Sequence, residues 1–424
     1  MRKVLAVIFA AALVCAFAMP AAAADLKISG QYFAEGDMNS NYGLEKEGTS
    51  THIIFQRLRL FAQFQIAEGL EVASRFDIQE RIWNGSRSAN IEGGLQENIQ
   101  FDRSYVTFAT AAGKFGVGYQ PGGCFGTPFA DAGYGGNSQI KYWGKFGAVG
   151  VGLYYEKSKE GDYGNAAVQA DDDRDLYTAN AIYKMEGIEI GLEYKYQRDA
   201  SNTAAGYRTV LHGLNPYLKG TFGPLYVEAE AIYVTGTLRE YEADMHTPDV
   251  DASGLGYYVM AKANLGPASV GASYSYIAGD DAGTADKNEG AYTIGNMSTD
   301  YNPLLLLWND TWTATKNGPM GTYSTTTDAM ANAKLFTVFA GFKPMEKLNV
   351  AATFGYALAD EQGSNVSDKI GTEFDVTATY KIYDQLSYMV GFAYFWTGDW
   401  YKGANTAHEV DNNYLLMHRI TVNF

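Results

Sequence analysis

Basic side chains recur at regular spacing between residues 57 and 114. Within each segment they occupy alternate positions, which in an extended strand lie on one face. Neighbouring antiparallel strands lie about 4.8 Å apart, so the basic residues of several strands can form one continuous patch. Such a patch attracts anions and orients dipolar solutes without any covalent step. The basic set comprises Arg57, Arg59, Arg75, Arg81, Arg103 and Lys114.

These cations have an alternative role, which is to pair with acids on the adjoining strand. Glu71, Asp77 and Glu80 are the nearby candidates, and both roles can hold at once. A second set of charges occupies the same face of later segments and is acidic. Mixed signs on one face predict a surface in contact with water. The acidic set comprises Glu189, Glu193, Glu228 and Glu230.

Residues of covalent catalysis and metal binding form no recognisable pattern. The five histidines are scattered, and no serine–histidine–acid or paired-carboxylate constellation stands out. Zinc and haem-attachment spacings are absent, and the glycine runs lack the strand–loop–helix context of a phosphate site. We therefore expect no catalytic residue, no metal and no cofactor.

The elements that carry the charges are predicted to be β-strands. In residues 188–197, isoleucine, leucine and tyrosine alternate with glutamate, lysine and glutamine, which is the period of a strand with one apolar and one wet face. Eight short turns rich in glycine, proline and polar residues, and nine longer segments, separate 18 predicted strands. One misread hairpin would reduce the number to about 16. Both termini of the chain are predicted to lie on the short-turn side, as in outer-membrane barrels.

The two ends of the chain point to export. Arg2 and Lys3 precede an apolar run, and Ala22–Ala24 fit a signal-peptidase site, so residues 1–24 are predicted to be a signal peptide. Residues 25–424 are then one domain. The last segment alternates strictly from Tyr414 and stops at Phe424, which is typical of a bacterial outer-membrane β-barrel.

Charge and hydropathy agree with a strand-built membrane protein. Removing the signal leaves 30 of the 32 basic residues against 48 acidic ones, for a formal charge of −18, which argues against a nucleic-acid partner. Past the signal, the longest apolar candidate is the short run from Leu304 to Trp308. Only helices and closed barrels satisfy their backbone in lipid, so we expect the chain to cross as strands. Its 32 tyrosines suit the two membrane interfaces.

The predicted width of the barrel links fold to function. A barrel of about 16 to 18 strands is too wide for side chains to fill and normally leaves an aqueous channel. The apolar faces then meet lipid and the polar faces line the lumen. The sequence thus predicts an all-β, transmembrane antiparallel barrel that conducts small hydrophilic solutes and ions passively.

Residues 103–162 carry the most specific signal. They read Arg103-Ser-Tyr-Val-Thr-Phe108, Gly113-Lys-Phe-Gly-Val-Gly-Tyr-Gln120, a glycine-rich loop and Asn137-Ser-Gln-Ile-Lys-Tyr142. This stretch resembles the region around the third external loop of Gram-negative general porins. Elsewhere only the alternation and the terminal phenylalanine match. The strand number of 18 and a weaker likeness in the loop at 279–331 fit the alginate-export type of channel better.

The resemblance implies an outer-membrane location, contact with lipid and lipopolysaccharide, and a homotrimer. It also implies that the loop at 121–136 folds into the barrel and forms the constriction. One acid of this loop, Asp131, would face the basic patch and set up a transverse field. The lone mature cysteine of the loop, Cys124, is more often a small filler than a reactive thiol. The expected constriction residues are Pro121, Cys124, Phe125, Phe129, Asp131 and Tyr134.

Two alternatives to a general diffusion channel stay open from the sequence. The first is an 18-stranded channel selective for one class of solute, such as oligosaccharides, an exported polyanion or organic acids. The second is an outer-membrane barrel enzyme, or a barrel that sheathes a partner protein. The loop at 279–331 is long enough to cover the mouth, enter the lumen or contact a neighbour.

Overall fold

A computed structural model provides the structure of the protein. It describes residues 25–41, 43–83, 99–122, 125–130, 136–161, 172–202, 205–242, 247–290, 293–295, 297, 301–309 and 330–424. The predicted signal peptide lies outside these ranges and stays a prediction. The described residues contain no helix long and apolar enough to span a bilayer.

Eighteen long strands form one antiparallel sheet that closes on itself, and a two-residue strand, β14, pairs with its rim. Each long strand pairs with the next long strand in the sequence, so β13 pairs with β15, and β1 pairs with β19 to close the ring. The strands are β1 Asp25–Asn39, β2 Thr51–Ala67, β3 Leu70–Ile82, β4 Ile99–Thr110, β5 Gly113–Pro121, β6 Gly136–Phe146, β7 Val149–Lys159, β8 Arg174–Met185, β9 Ile188–Asp199, β10 Tyr207–Phe222, β11 Leu225–Tyr241, β12 Val250–Leu265, β13 Ala268–Ile277, β14 Lys287–Asn288, β15 Ala333–Met345, β16 Leu348–Ala359, β17 Lys369–Lys381, β18 Leu386–Thr397 and β19 Asn413–Asn423.

Short turns and long loops alternate along the barrel, as the sequence predicts. The eight tight connections lie at one end, and glycine occupies the left-handed position where the hairpin requires it, for example Gly187 with φ +73°. The nine longer connections lie at the other end. Two of them matter for function. We call residues 122–135 the third loop and residues 278–332 the seventh loop.

The two faces of each strand have the predicted polarity. In β9, Ile190, Leu192 and Tyr194 are exposed on the outer surface, whereas Glu193 and Lys195 are buried inside the barrel. Since outward residues meet lipid, this exposed apolar belt is what a transmembrane barrel requires. Inside the barrel, toward the long loops, buried apolar side chains from strands and loops form a cluster, so part of the lumen there is filled.

A β-bulge in β3 overturns one predicted orientation. Gln79 has φ +52°, and Leu58 pairs with Ile78 whereas Gln56 pairs with Arg81. Two residues of β3, Gln79 and Glu80, therefore oppose one residue of β2, Arg57, and the alternation shifts by one position. Directly opposed residues share a face, so Arg81 joins Gln56 on the outer surface. The prediction that Arg81 lines the lumen was wrong, because strict alternation does not anticipate an inserted residue.

Candidate functional site

The third loop crosses the lumen and attaches to the far wall. It leaves β5, and its segment 125–130 reaches β11, where Glu230 accepts hydrogen bonds from the Thr127 amide (2.8 Å) and hydroxyl (2.5 Å). From β10, the Lys219 ammonium donates to the Gly126 carbonyl at 3.0 Å. Gly126 has φ +92°, and a Cβ there would lie 2.2 Å from a Glu230 oxygen. Only glycine lets the loop approach this carboxylate so closely.

Aromatic rings hold the loop in place. Phe129 is completely buried, stacked on Tyr258 of β12 with centroids 5.6 Å apart and edge-on to Tyr301 of the seventh loop at 6.1 Å. The two tyrosine rings lie 4.9 Å apart. Phe125 packs edge-on against Tyr217 of β10 at 5.0 Å. Phe129, Tyr258 and Tyr301, the aromatic cluster, thus join both loops to the wall.

The seventh loop also enters the lumen, through a turn at residues 304–308. The Glu373 carboxylate of β17 accepts hydrogen bonds from the backbone N–H groups of Leu305 (3.0 Å), Leu306 (2.7 Å) and Leu307 (2.8 Å). Leu304 fits over Gly355, where a Cβ would lie 2.6 Å from its Cδ1. Trp308 is buried as well. The apolar run of this loop is therefore buried against β16–β18.

The basic patch of β2–β4 is an array of ion pairs. Arg59 makes two hydrogen bonds of 2.7 Å to Asp77, and Arg57 lies 3.5 Å from Glu80. Arg75 binds Asp102 in a bidentate contact. Sequence reasoning missed Asp102, which comes inward because β4 has an irregularity opposite Arg75. Arg103 opposes Arg75 on the same face. We call Arg57, Arg59, Arg75 and Arg103, with their acids, the arginine wall.

The predicted acidic residues lie on the lumen face and hold other groups in position. Glu189 bonds to Lys219 and to the Tyr217 hydroxyl, and Glu193 contacts Lys195 at 3.3 Å. The Tyr258 hydroxyl donates to Glu228 at 2.8 Å, while Glu230 binds the third loop. Each acid therefore positions a neighbour as well as lining the wall.

The other predicted residues have varied positions. Lys114 lies on the lumen face at the turn end of β5 and is exposed. The Pro121 carbonyl accepts a hydrogen bond from Lys141 at 2.5 Å, which fixes the start of the third loop. Cys124, Asp131 and Tyr134 lie outside the described residues, so their placement in the constriction stays a prediction.

The lumen wall is divided into two parts of different chemistry. From β2 to β11 it is rich in paired charges. From β12 to β16 it consists largely of small, hydroxyl-bearing and aromatic residues, including Ser273, Thr337, Phe339 and Thr353. A solute passing between the loops meets ion pairs on one side and a nearly neutral surface on the other.

Comparisons with known proteins agree with this architecture. Two solved proteins from Pseudomonas aeruginosa share the fold. OccK5 (OpdH) has TM-score 0.56, 12% identity and coverage of 94% of this chain and 98% of that one. OccK2 (OpdF) in complex with glucuronate has TM-score 0.55, 11% identity and the same coverages. None of the curated proteins matches the chain. A sequence model described as Gram-negative porin matches residues 10–399. Because that match covers most of the sequence, the chain belongs to the Gram-negative porin family and is an outer-membrane channel.

Proposed function

We propose that this porin conducts small hydrophilic solutes and ions passively through a constriction formed jointly by the third and seventh loops. The observation that carries the proposal is the aromatic cluster, in which Phe129 of one loop meets Tyr301 of the other inside the barrel. Two loops that contact each other inside the barrel narrow the path more than either does alone. No energy source, cofactor or covalent step is needed for diffusion through such an opening.

Conductance of the refolded protein in a planar bilayer tests this proposal. We expect stepwise openings with a linear current–voltage relation. A correctly folded barrel that inserts and stays silent would contradict a channel and would favour an outer-membrane enzyme or a sheath for a partner protein.

We further propose that the arginine wall sets ion preference. Its four arginines face Asp77, Glu80 and Asp102, so the native wall is close to neutral and its selectivity should be weak. Replacing Arg57, Arg59 and Arg103 with alanine leaves only Arg75 against the three acids. The reversal potential in a salt gradient should then shift toward cations.

The matched control is Lys347→Ala, which removes one positive charge from the exposed turn between β15 and β16. Its reversal potential should equal that of the wild type. If the arginine variant also shows the wild-type value, the wall does not select ions.

The general-porin resemblance motivates one more proposal, that the barrel assembles as a homotrimer in lipid and lipopolysaccharide. The mass of the folded protein in mild detergent tests it. A species of monomer mass at all concentrations would contradict the trimer.

A further inference from the structure

A pocket of about 460 Å³ lies at the long-loop end of the barrel, where three loops meet. The two ends of the seventh loop form one side of it. The loop at 360–368, the eighth loop, forms another side, and Trp400 of the loop at 398–412, the ninth loop, borders it. Its volume falls in the range of pockets that hold small molecules. None of the residues assigned to the constriction, the arginine wall or the aromatic cluster lines this pocket.

Hydrogen bonds between the loops hold the pocket in one shape. The Asn332 side chain clamps the eighth loop, because its Nδ2 donates to the Glu361 carbonyl at 3.0 Å and its Oδ1 accepts from the Glu361 amide at 2.8 Å. Gly279 lies against this clamp, where a Cβ would come 2.2 Å from the Asn332 oxygen. The Val366 amide donates to the Gly403 carbonyl at 2.9 Å and so joins the eighth loop to the ninth. A pocket formed in advance costs a ligand little ordering of the protein.

The pocket offers hydrogen-bond donors and acceptors side by side, without a positive charge. No basic residue is among the described residues that line it. Its two carboxylates, Asp280 and Glu361, make no ion pair within 4.0 Å in the described part of the chain. Donors come from the side chains of Asn288, Ser364 and Asn365. An anion would meet two acids and no cation, and a cation would leave the donors unused. The lining therefore favours a neutral ligand that carries many hydroxyl groups.

An indole ring supplies an apolar surface beside these polar groups. Trp400 lies in the short 3₁₀ helix Asp399–Lys402. It packs against the buried apolar cluster of the barrel and is only partly buried, and it also borders the pocket. On the eighth loop, a Cβ at Gly363 would meet nothing within 4 Å, so the space there is open. A sugar ring matches this combination, since its C–H face packs on an aromatic face while its hydroxyls reach polar side chains.

We propose that this pocket binds a neutral saccharide, with one sugar ring on Trp400 and its hydroxyls on the Asp280 and Glu361 carboxylates and the neighbouring amides. An acidic sugar would bring a further carboxylate beside two acids, and this repulsion has no cation to offset it. An open-chain polyol has no ring face to cover the indole. The site is a capture site at the mouth. It goes beyond passive conduction, because binding there does not depend on whether the sugar then passes the constriction.

Saturation-transfer NMR of the folded barrel in detergent tests the inference, because it detects sugar protons in contact with the protein without requiring conduction. Glucose should give a saturable signal. Glucuronate, which carries a carboxylate, and sorbitol, which has no ring, should give none at the same concentrations. Trp400→Ala should abolish the glucose signal. Glu361→Ala should raise the half-saturating glucose concentration about tenfold, as expected for loss of a hydrogen bond to a charged group.

Two matched variants serve as controls. Trp396→Ala removes an exposed indole from the outer surface, and Asp384→Ala removes an acid from an exposed turn. Both should bind glucose as the wild type does. Equal signals from glucose and glucuronate, or wild-type binding by Trp400→Ala or Glu361→Ala, overturn the saccharide site.

A sugar can reach the mouth as a free saccharide or as part of lipopolysaccharide. Purified lipopolysaccharide added to the glucose-bound protein distinguishes these sources. Unchanged glucose binding assigns the pocket to free saccharides, displacement assigns it to the sugars of the lipid, and both results require the site. A folded protein that conducts and binds no glucose refutes this inference alone. A protein that binds glucose and does not conduct refutes only the proposed function.

Discussion

Glu373→Gln is the substitution that most directly examines the docking of the seventh loop. In the native barrel one Glu373 oxygen accepts from Leu305 and Leu306, and the other accepts from Leu307. Glutamine has the same shape, but an amide NH₂ group replaces one of these oxygens. That group is a donor and would face at least one backbone N–H, so the variant loses hydrogen bonds and buries an unsatisfied donor.

The magnitude follows from the contacts. Each of these hydrogen bonds contributes about 0.5–1.5 kcal/mol, and an unsatisfied buried donor costs about 1–3 kcal/mol. A net loss of about 3 kcal/mol raises the undocked fraction of the turn about 100-fold. The strands do not depend on this turn for their own pairing, so the barrel should still fold. The change should be visible as open events of higher conductance.

Single-channel recordings of Glu373→Gln and of Glu346→Gln provide the comparison. Glu346 lies in an exposed turn, so that variant controls for the loss of one carboxylate and should behave as the wild type. Equal conductance and equal current noise in wild type and Glu373→Gln would refute the reasoning, because they would mean that the carboxylate does not hold the turn in the lumen.

Three more predictions concern the loops and the rim. Gly126→Ala should release the third loop and raise conductance, because its Cβ would collide with Glu230; unchanged conductance would argue against the close approach. Phe129→Ala should also release the third loop and raise conductance, because loss of the ring leaves a cavity in the aromatic cluster and weakens docking of the loop by about 3–5 kcal/mol. The size of the largest polymer that can enter the channel should rise in this variant. Burial raises the pKa of Asp360, but hydrogen bonds from a backbone N–H and from Lys334 outweigh it and hold the pKa below its ordinary 3.8. This stabilisation is therefore present above about pH 4 and lost as the pH falls further. The unfolding temperatures of wild type and Asp360→Asn should differ near pH 7 and converge in acid, and a constant difference would contradict the ion pair.

Local patterns were sufficient to predict the barrel itself. Strand period, turn composition and the polarity of the two faces are set by neighbouring residues, so the eight hairpins were predicted correctly. The inward third loop was predicted from the resemblance around residues 103–162. Its attachment to Glu230 joins residues 103 positions apart in the sequence. A pattern of alternating residues carries no information about contacts at that separation.

Other features depended on geometry that a single sequence does not encode. The bulge at Gln79 moved Arg81 to the outer face, since one inserted residue reverses every orientation beyond it. The apolar run at 304–308 requires burial, but the sequence does not distinguish burial in the lumen from burial against a neighbouring molecule or over the mouth of the barrel. Alternation in β17 is consistent with Glu373 facing the lumen, but it does not show that the Glu373 carboxylate binds residues 305–307.

Closure of the barrel by its first and last strands has a consequence for how the chain reaches its native state. Gly30 and Phe424 exchange two backbone hydrogen bonds of 2.8 and 3.0 Å, and the side chains of Gln31 and Asn423 meet across 392 positions of sequence. Contacts this distant form slowly, because the entropy of closing the intervening chain opposes them. Until they form, the sheet has two unpaired edges that can join other chains. The rate of seam formation should therefore govern the competition between folding and aggregation, and substitutions at the β1–β19 seam should slow folding more than equal losses within a hairpin.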